Sequence, residues 1–285
     1  GVDLLYGASR EYLDEIFEEN GVPVEEIHGY IDPYFGGIAP SCTEENMAEL
    51  KALVRSKGCD FGIATDADGD RFGIVDHEGR VVIQNIVLAL LLDHLIASRG
   101  WRGGVARSVA TTCLLDRIAH RHGLPLITTP VGFKFLADLF IQDRIMFGGE
   151  ESASIAVRDH LPEKDGILAG VLLAEMLATR GKKLAELVED LFRTYGERFY
   201  VQKTIPLTAE RARKLKSLAA APPAKLAGRP VRNCVTIDGV RFDFEEDDWL
   251  LLRMSGTEPI VRCYAESGSR TALRDLVRAG LAVLA

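Results

Sequence analysis

The sequence predicts an α/β chain: two α/β/α mixed-sheet domains followed by a small α+β C-terminal domain. Three observations carry this. Strand-like and helix-like segments alternate as far as Gly196, and a Trp101-Arg102-Gly103-Gly104 break divides that alternation into two units. From Glu197 onward the strands are grouped, with helices at the ends, as in a small α+β unit. At 285 residues the chain also exceeds one ordinary core. The predicted domains are 1–99, 100–196 and 197–285.

In the first unit Val2–Tyr6 is read as a strand. Tyr12, Leu13, Ile16 and Phe17 then recur at helical spacing, and Val22–Ile27 is extended. Met47, Leu50, Leu53 and Val54 mark one face of a second helix, with Thr43 as its candidate cap. Phe61–Ala64 is a buried strand, and an acidic loop follows at its carboxyl end, where open α/β sheets bind ligands. A helix from about Asn85 to Ser98 closes the unit.

The second unit is predicted to have strands at Val105–Arg107, Leu124–Thr128 and Ile145–Phe147. Its helices are expected at Thr112–His122, Phe133–Phe140, Ile167–Ala178 and Leu184–Phe192. In the third, Phe199–Ile205 is a strand, Ala209–Ala219 a helix and Ala221-Pro222-Pro223-Ala224 a break. Strands at Arg232–Ile237, Val240–Phe244, Trp249–Arg253 and Ile260–Glu266 precede a helix that carries Leu273, Leu276, Val277, Leu281 and Leu284 on one face.

The composition, 47% hydrophobic and 27% charged, is that of a soluble globular protein. A formal net charge of -8 disfavours nucleic acid and anionic membrane as partners, so an anionic ligand needs a local pocket of Arg and Lys. Five cysteines, scattered and without CxxC spacing, argue against a disulfide framework or a zinc site and for a reducing cytoplasm. The apolar run Ile86–Leu92 stops at Asp93, too short to span a bilayer. Oligomeric state is not readable.

Three loops carry the chemistry. In Thr65–Arg71, Asp66, Asp68 and Asp70 alternate on a tight turn eased by Gly69. Carboxylates that close repel one another unless a cation joins them, and an oxygen-only set suits Mg2+. An EF-hand is excluded, because Arg71 stands where that loop needs Gly and His77 where it needs Glu. A solvated acidic turn is the alternative. Arg71 beside the cage can hold a phosphate that the metal also polarises.

In Gly148-Gly149-Glu150-Glu151-Ser152, Glu150 and Ser152 can accept from and donate to neighbouring hydroxyls, although such a loop is also commonly just solvated. Lys164 and His160, in the following Arg158–Gly166 stretch, are candidate acid/bases. Lys134, between two phenylalanines, is readable as a snorkelling surface residue. In Arg253–Arg262, two guanidiniums (Arg253, Arg262), two hydroxyls (Ser255, Thr257) and Gly256 suit a phosphate dianion.

Together, and in this order, the loops resemble those of the α-D-phosphohexomutase family, the phosphoglucomutases and phosphomannomutases; the resemblance spans essentially the whole chain. Asp66, Asp68, Asp70 and Arg71 match its metal loop, with Ala67 where Gly is common. Glu150 and Ser152 match its sugar loop, Lys164 a candidate acid/base, and Arg253, Ser255, Gly256, Thr257 and Arg262 its phosphate loop. The segment Thr129–Lys134, with Gly132 and Lys134, is similar to a further stretch that lines the family's cleft.

The resemblance implies interconversion of hexose 1-phosphate and hexose 6-phosphate through a phosphoserine, with Mg2+ and a glucose 1,6-bisphosphate intermediate. The Glu-Glu-Ser, Arg-Asp-His and Glu-Lys-Asp-Gly combination is more similar to phosphoglucomutases, which favours glucose over mannose. The family's serine lies in a Ser-His-Asn-Pro type sequence in an amino-terminal domain, and no such sequence occurs here. The expectation is therefore a fragment holding the metal, sugar and phosphate domains, inactive alone. The rival readings are a non-catalytic sugar-phosphate-binding relative and a phosphatase of the haloacid dehalogenase type.

Overall fold

The computed structural model describes residues 1–285. The chain opens with β1 (Val2–Asp3), α1 (Leu13–Glu19), β2 (Glu26–Ile27), α2 (Ala48–Lys57), β3 (Phe61–Thr65), β4 (Phe72–Asp76) and β5 (Val81–Val82). These strands form a mixed sheet in the order β2-β1-β3-β4-β5, with β1 parallel to β2 and β3, and antiparallel pairing beyond β3.

The expected strands at Val2–Tyr6 and Val22–Ile27 shrink to two residues each. Leu5 and Tyr6 take positive φ (41° and 58°), turning the chain off the sheet so that Gly7 packs against the acidic loop. Thr43 caps a turn ahead of α2, accepting from Asn46 N at 3.2 Å, and the helix proper starts at Ala48. β4 was not anticipated. It contains Gly73, a poor strand former, where an added Cβ would lie 2.4 Å from Met47 Sδ.

The helix α3 (Gln84–Arg99) is buried on nearly every side, from Val87 to Leu92 and from His94 to Ile96, because elements of both neighbouring units pack on it. There follow β6 (Val105–Ser108), α4 (Leu114–Arg121), β7 (Leu126–Thr129), α5 (Phe133–Ile141), β8 (Phe147–Glu150), β9 (Ser154–Val157), α6 (Gly166–Arg180) and α7 (Leu184–Tyr195). Their sheet runs β7-β6-β8-β9, with only β9 antiparallel.

The strand expected at Ile145–Phe147 lies instead at Phe147–Glu150, so Glu150 is itself a strand residue. Two glycines disguised it; a Cβ on Gly149 would lie 2.7 Å from Leu88 Cδ2, so α3 needs that space. One core of 35 buried residues runs from Val2 to Tyr195 through both units, and burial on that scale fixes their relative placement.

The remainder comprises β10 (Phe199–Pro206), α8 (Ala209–Ala220), the hairpin β11 (Lys225–Leu226) and β12 (Arg229–Pro230), then β13 (Asn233–Val235), β14 (Val240–Asp243), β15 (Trp249–Met254), β16 (Ile260–Ser267) and α9 (Arg270–Ala282). Its sheet, β10-β16-β15-β14-β13, is antiparallel throughout and shares a separate core of 12 residues with α8 and α9.

Trp249, Leu251 and Tyr264 of this sheet pack on Val109 and Ala110, just beyond β6. Buried Glu266 anchors the junction, accepting from Cys113 N and Trp249 Nε1, both at 2.8 Å. Arg241 donates to Val109 O and Arg117 to Glu246 O across the same seam. All five cysteines are free, and no helix is long and apolar enough to cross a membrane.

Candidate active site

The acidic loop joins β3 to β4. Asp66 follows the buried strand, Gly69 supplies the left-handed residue (φ 76°), and Gly69 N donates to Asp66 O at 3.1 Å. Asp66 accepts from Arg71 N at 3.0 Å, while Arg71 Nε stands 3.9 Å from Asp66 Oδ2 and 3.7 Å from Asp70 Oδ1. One oxygen from each of Asp66, Asp68 and Asp70 lies within 4.8 Å of the others. Burial raises the Asp66 pKa above the usual carboxylate value, opposed by the Arg71 amide and reinforced by Asp68. Three convergent carboxylate oxygens with no nitrogen or sulfur among them fit a hard divalent cation.

The loop is clamped from the second unit. Lys164 Nζ pairs with Asp70 Oδ2, and Gly166 N donates to Gly69 O at 3.0 Å. A Cβ on Gly166 would sit 2.4 Å from Arg71 O and 2.8 Å from Gly69 O, so only glycine permits this approach of two backbones. His160, the other acid/base candidate, is exposed. Its Nε2 lies 2.8 Å from Asp165 Oδ2, and Asp165 caps α6 through Leu168 N at 2.9 Å. Lys164 is therefore at the metal loop, and His160 is on the helix cap.

Glu150, at the end of β8, is 3% exposed and accepts from Gly132 N at 2.7 Å. Burial pushes its pKa up to about 7, with the Gly132 amide opposing and Glu151 adding to the rise; the charges of Arg71 and Arg253 both act to lower it. The acidic and phosphate loops thus both bear on this carboxylate. Ser152 Oγ lies 3.2 Å from Ser154 Oγ. Lys134 is exposed, with Nζ 5.1 Å from the centroid of the Phe135 ring, as a snorkelling residue would be.

The phosphate loop joins β15 to β16, with Ser255 N donating to Ile260 O at 2.9 Å and the 256–258 tip exposed. Arg253 Nε donates to Asp238 Oδ2 at 2.6 Å, and Arg262 Nη2 to Glu258 Oε2 at 2.6 Å. Thr257 N donates to Ser255 Oγ at 3.4 Å.

Sequence reasoning missed Asp238, Gly166 and the Ser108–Thr111 pair. Those two hydroxyls donate to Glu151 Oε2 at 2.8 and 3.2 Å and hold that carboxylate in place. Asp238-Gly239 was legible only as a turn; its link to Arg253 and Val131 is made by folding.

By their chemistry the three loops could hold a divalent cation at Asp66, Asp68 and Asp70, hydroxyls at Glu150 and a phosphate at Arg253 and Arg262. Comparison with known proteins gives the family. The sequence matches the phosphoglucomutase/phosphomannomutase α/β/α domain II over residues 1–79, α/β/α domain III over 84–195, and C-terminal domain over 207–280. The chain belongs to the phosphoglucomutase/phosphomannomutase family, the α-D-phosphohexomutases.

It is 31% identical to a phosphoglucomutase/phosphomannomutase of Thermococcus kodakarensis, over 99% of this chain and 60% of that protein. A phosphoglucomutase of Komagataeibacter xylinus is 30% identical, over 94% of this chain and 52% of its own length. A phosphoglucosamine mutase of Methanococcus maripaludis is 28% identical, over 99% and 62%. Among solved structures, a Thermus thermophilus protein provisionally described as a phosphomannomutase superposes with a TM-score of 0.83. It is 32% identical over 99% of this chain and 60% of its own. The chain thus spans less than two thirds of the length of these relatives.

Proposed function

We propose that this chain carries the metal, sugar and phosphate sites of a mutase that interconverts hexose 1-phosphate and hexose 6-phosphate, with glucose the favoured hexose. The observation that carries it is the position of Glu150. One buried carboxylate, suited to sugar hydroxyls, feels the charges of Arg71 from the acidic loop and Arg253 from the phosphate loop. A ligand gripped at its centre and at both ends is a hexose with phosphate at C1 and C6, which is the bisphosphate intermediate.

Asp66, Asp68 and Asp70 would hold Mg2+, which supplies charge neutralisation to the phosphoryl group in transfer. Arg71 orients that phosphoryl group. Glu150 and Ser152 read the hydroxyls, with Gly132 fixing Glu150 and Lys134 as a further candidate contact to the substrate. Arg253, Ser255, Gly256, Thr257 and Arg262 hold the non-reacting phosphate. Lys164, beside the metal loop, is favoured over His160 for moving the proton of the attacking hydroxyl.

No Ser-His-Asn-Pro type sequence lies within these 285 residues, so none of their serines is assigned as the phosphoryl carrier. Ser9 packs within 3.5 Å of where a Gly69 Cβ would stand, yet it is 1% exposed and its hydroxyl is engaged by Thr65 Oγ1.

The test is a 31P NMR time course with Mg2+, glucose 1-phosphate and a trace of glucose 1,6-bisphosphate. The 285-residue chain alone is expected to leave glucose 1-phosphate unchanged. Conversion by this chain alone would place the nucleophile within it, and free phosphate would instead mark a phosphatase. Glucosamine and mannose phosphates run in competition decide the sugar.

A further inference from the structure

Pro130, Val131 and Gly132 form the turn between β7 and α5, and its two successive backbone amides each hold a carboxylate. Gly132 N donates to Glu150, on the sugar side, at 2.7 Å. Val131 N donates to Asp238 Oδ2, on the phosphate side, at 3.0 Å. The same Asp238 oxygen receives Arg253 Nε at 2.6 Å. An unbroken path therefore runs from the phosphate-loop arginine through Asp238 and one turn of the second unit to the sugar carboxylate.

The path is stiff at both ends. Pro130 limits the backbone that leads into the two amides. Gly239, next to Asp238, has φ +85°, and a Cβ there would lie 2.5 Å from Leu252 O, so the Asp238 turn is seated directly on β15, the strand that carries Arg253. Because Asp238 engages Nε, the two terminal nitrogens of Arg253 remain available to a phosphate.

We propose that Asp238 is a positioning residue that sets the spacing between the phosphate grip and the sugar grip by tying Arg253 to the Val131 amide. The inference rests on the functional reading above and adds a specificity device to it. A hexose phosphate must satisfy both grips at once, whereas inorganic phosphate needs only one. The spacing therefore matters to the sugar phosphate alone.

The experiment compares the wild-type chain with Asp238→Ala and Asp238→Asn, all with Mg2+, titrated separately with glucose 6-phosphate and inorganic phosphate. Asp238→Ala is expected to weaken glucose 6-phosphate binding about tenfold while inorganic phosphate stays within about threefold, because only two-point binding loses its geometry. Asp238→Asn keeps an oxygen that accepts both bonds, and is expected to restore most of the difference. It also controls for misfolding of the alanine variant. Equal losses for the two ligands, or an unchanged ratio, would overturn the proposal.

A ligand-free arm reads the Val131 amide by hydrogen exchange. It should be protected in wild type and Asp238→Asn, and exposed in Asp238→Ala; no change in Asp238→Ala would also overturn the tie. If wild type does not prefer glucose 6-phosphate to inorganic phosphate, the sugar-phosphate reading fails, and the exchange result still decides the tie.

Discussion

At the scale of single residues, the two adjacent glutamates of the sugar loop show how environment divides one chemistry into two roles. Glu151, half-buried, accepts from two hydroxyls and acts as a tether; Glu150, buried, has one backbone amide as its partner. Its folded pKa, about 7, stands above the ordinary glutamate value of 4.5, so the folded chain binds this proton more tightly than the unfolded one. The stability this contributes is complete below pH 4.5 and is lost as pH rises to about 7. Thermal unfolding of the ligand-free chain and of Glu150→Gln should show it. Wild type is expected to lose on the order of 3 kcal/mol relative to the variant across that window. A constant difference between the two would contradict the shift. The motif made Glu150 a candidate in the sequence. Its partner Gly132 was placed only by resemblance, because a backbone amide leaves no mark on sequence.

At the scale of elements, two strands that sequence reading missed or misplaced share one feature, while the four-residue β9 and the two-residue β5, β11 and β12 were missed as well. β4 and β8 carry glycines where a neighbouring side chain, Met47 at Gly73 and Leu88 at Gly149, presses on the sheet, which weakens the strand signal. Gly166 is the same device between backbones, holding the start of α6 against the acidic loop. Gly166→Ala is expected to weaken divalent cation binding at Asp66, Asp68 and Asp70 about tenfold or more, since displaced ligands lose their common focus. Isothermal titration with Mg2+ or Mn2+ checks it, and wild-type affinity in the variant would show that the loop holds its shape unaided. Long amphipathic helices such as α7 and α9 were legible to within a few residues, because one face meets the core and the other meets water.

At the scale of the molecule, the order of the three functional loops was readable, but the seams between the units were not. A buried residue such as Glu266 looks, in sequence, like any acidic residue at a strand end. Glu266→Ala would strand the Cys113 amide and the Trp249 indole, at about 1–3 kcal/mol for each unsatisfied donor. Denaturant unfolding followed by tryptophan fluorescence should register that loss, with Glu266→Gln retaining part of the stability; alanine with wild-type stability would show the junction to be held elsewhere. The seams are also unequal. The first two units share 35 buried residues, whereas the third meets its neighbour through a buried apolar patch of five. The second seam holds less by shared core than by a row of polar pins, from Cys113 N to Glu266, from Arg241 to Val109 O, from Arg117 to Glu246 O and from Val131 N to Asp238. Changing one pin at a time therefore tests that joint contact by contact, where the joint between the first two units must be altered through its packing.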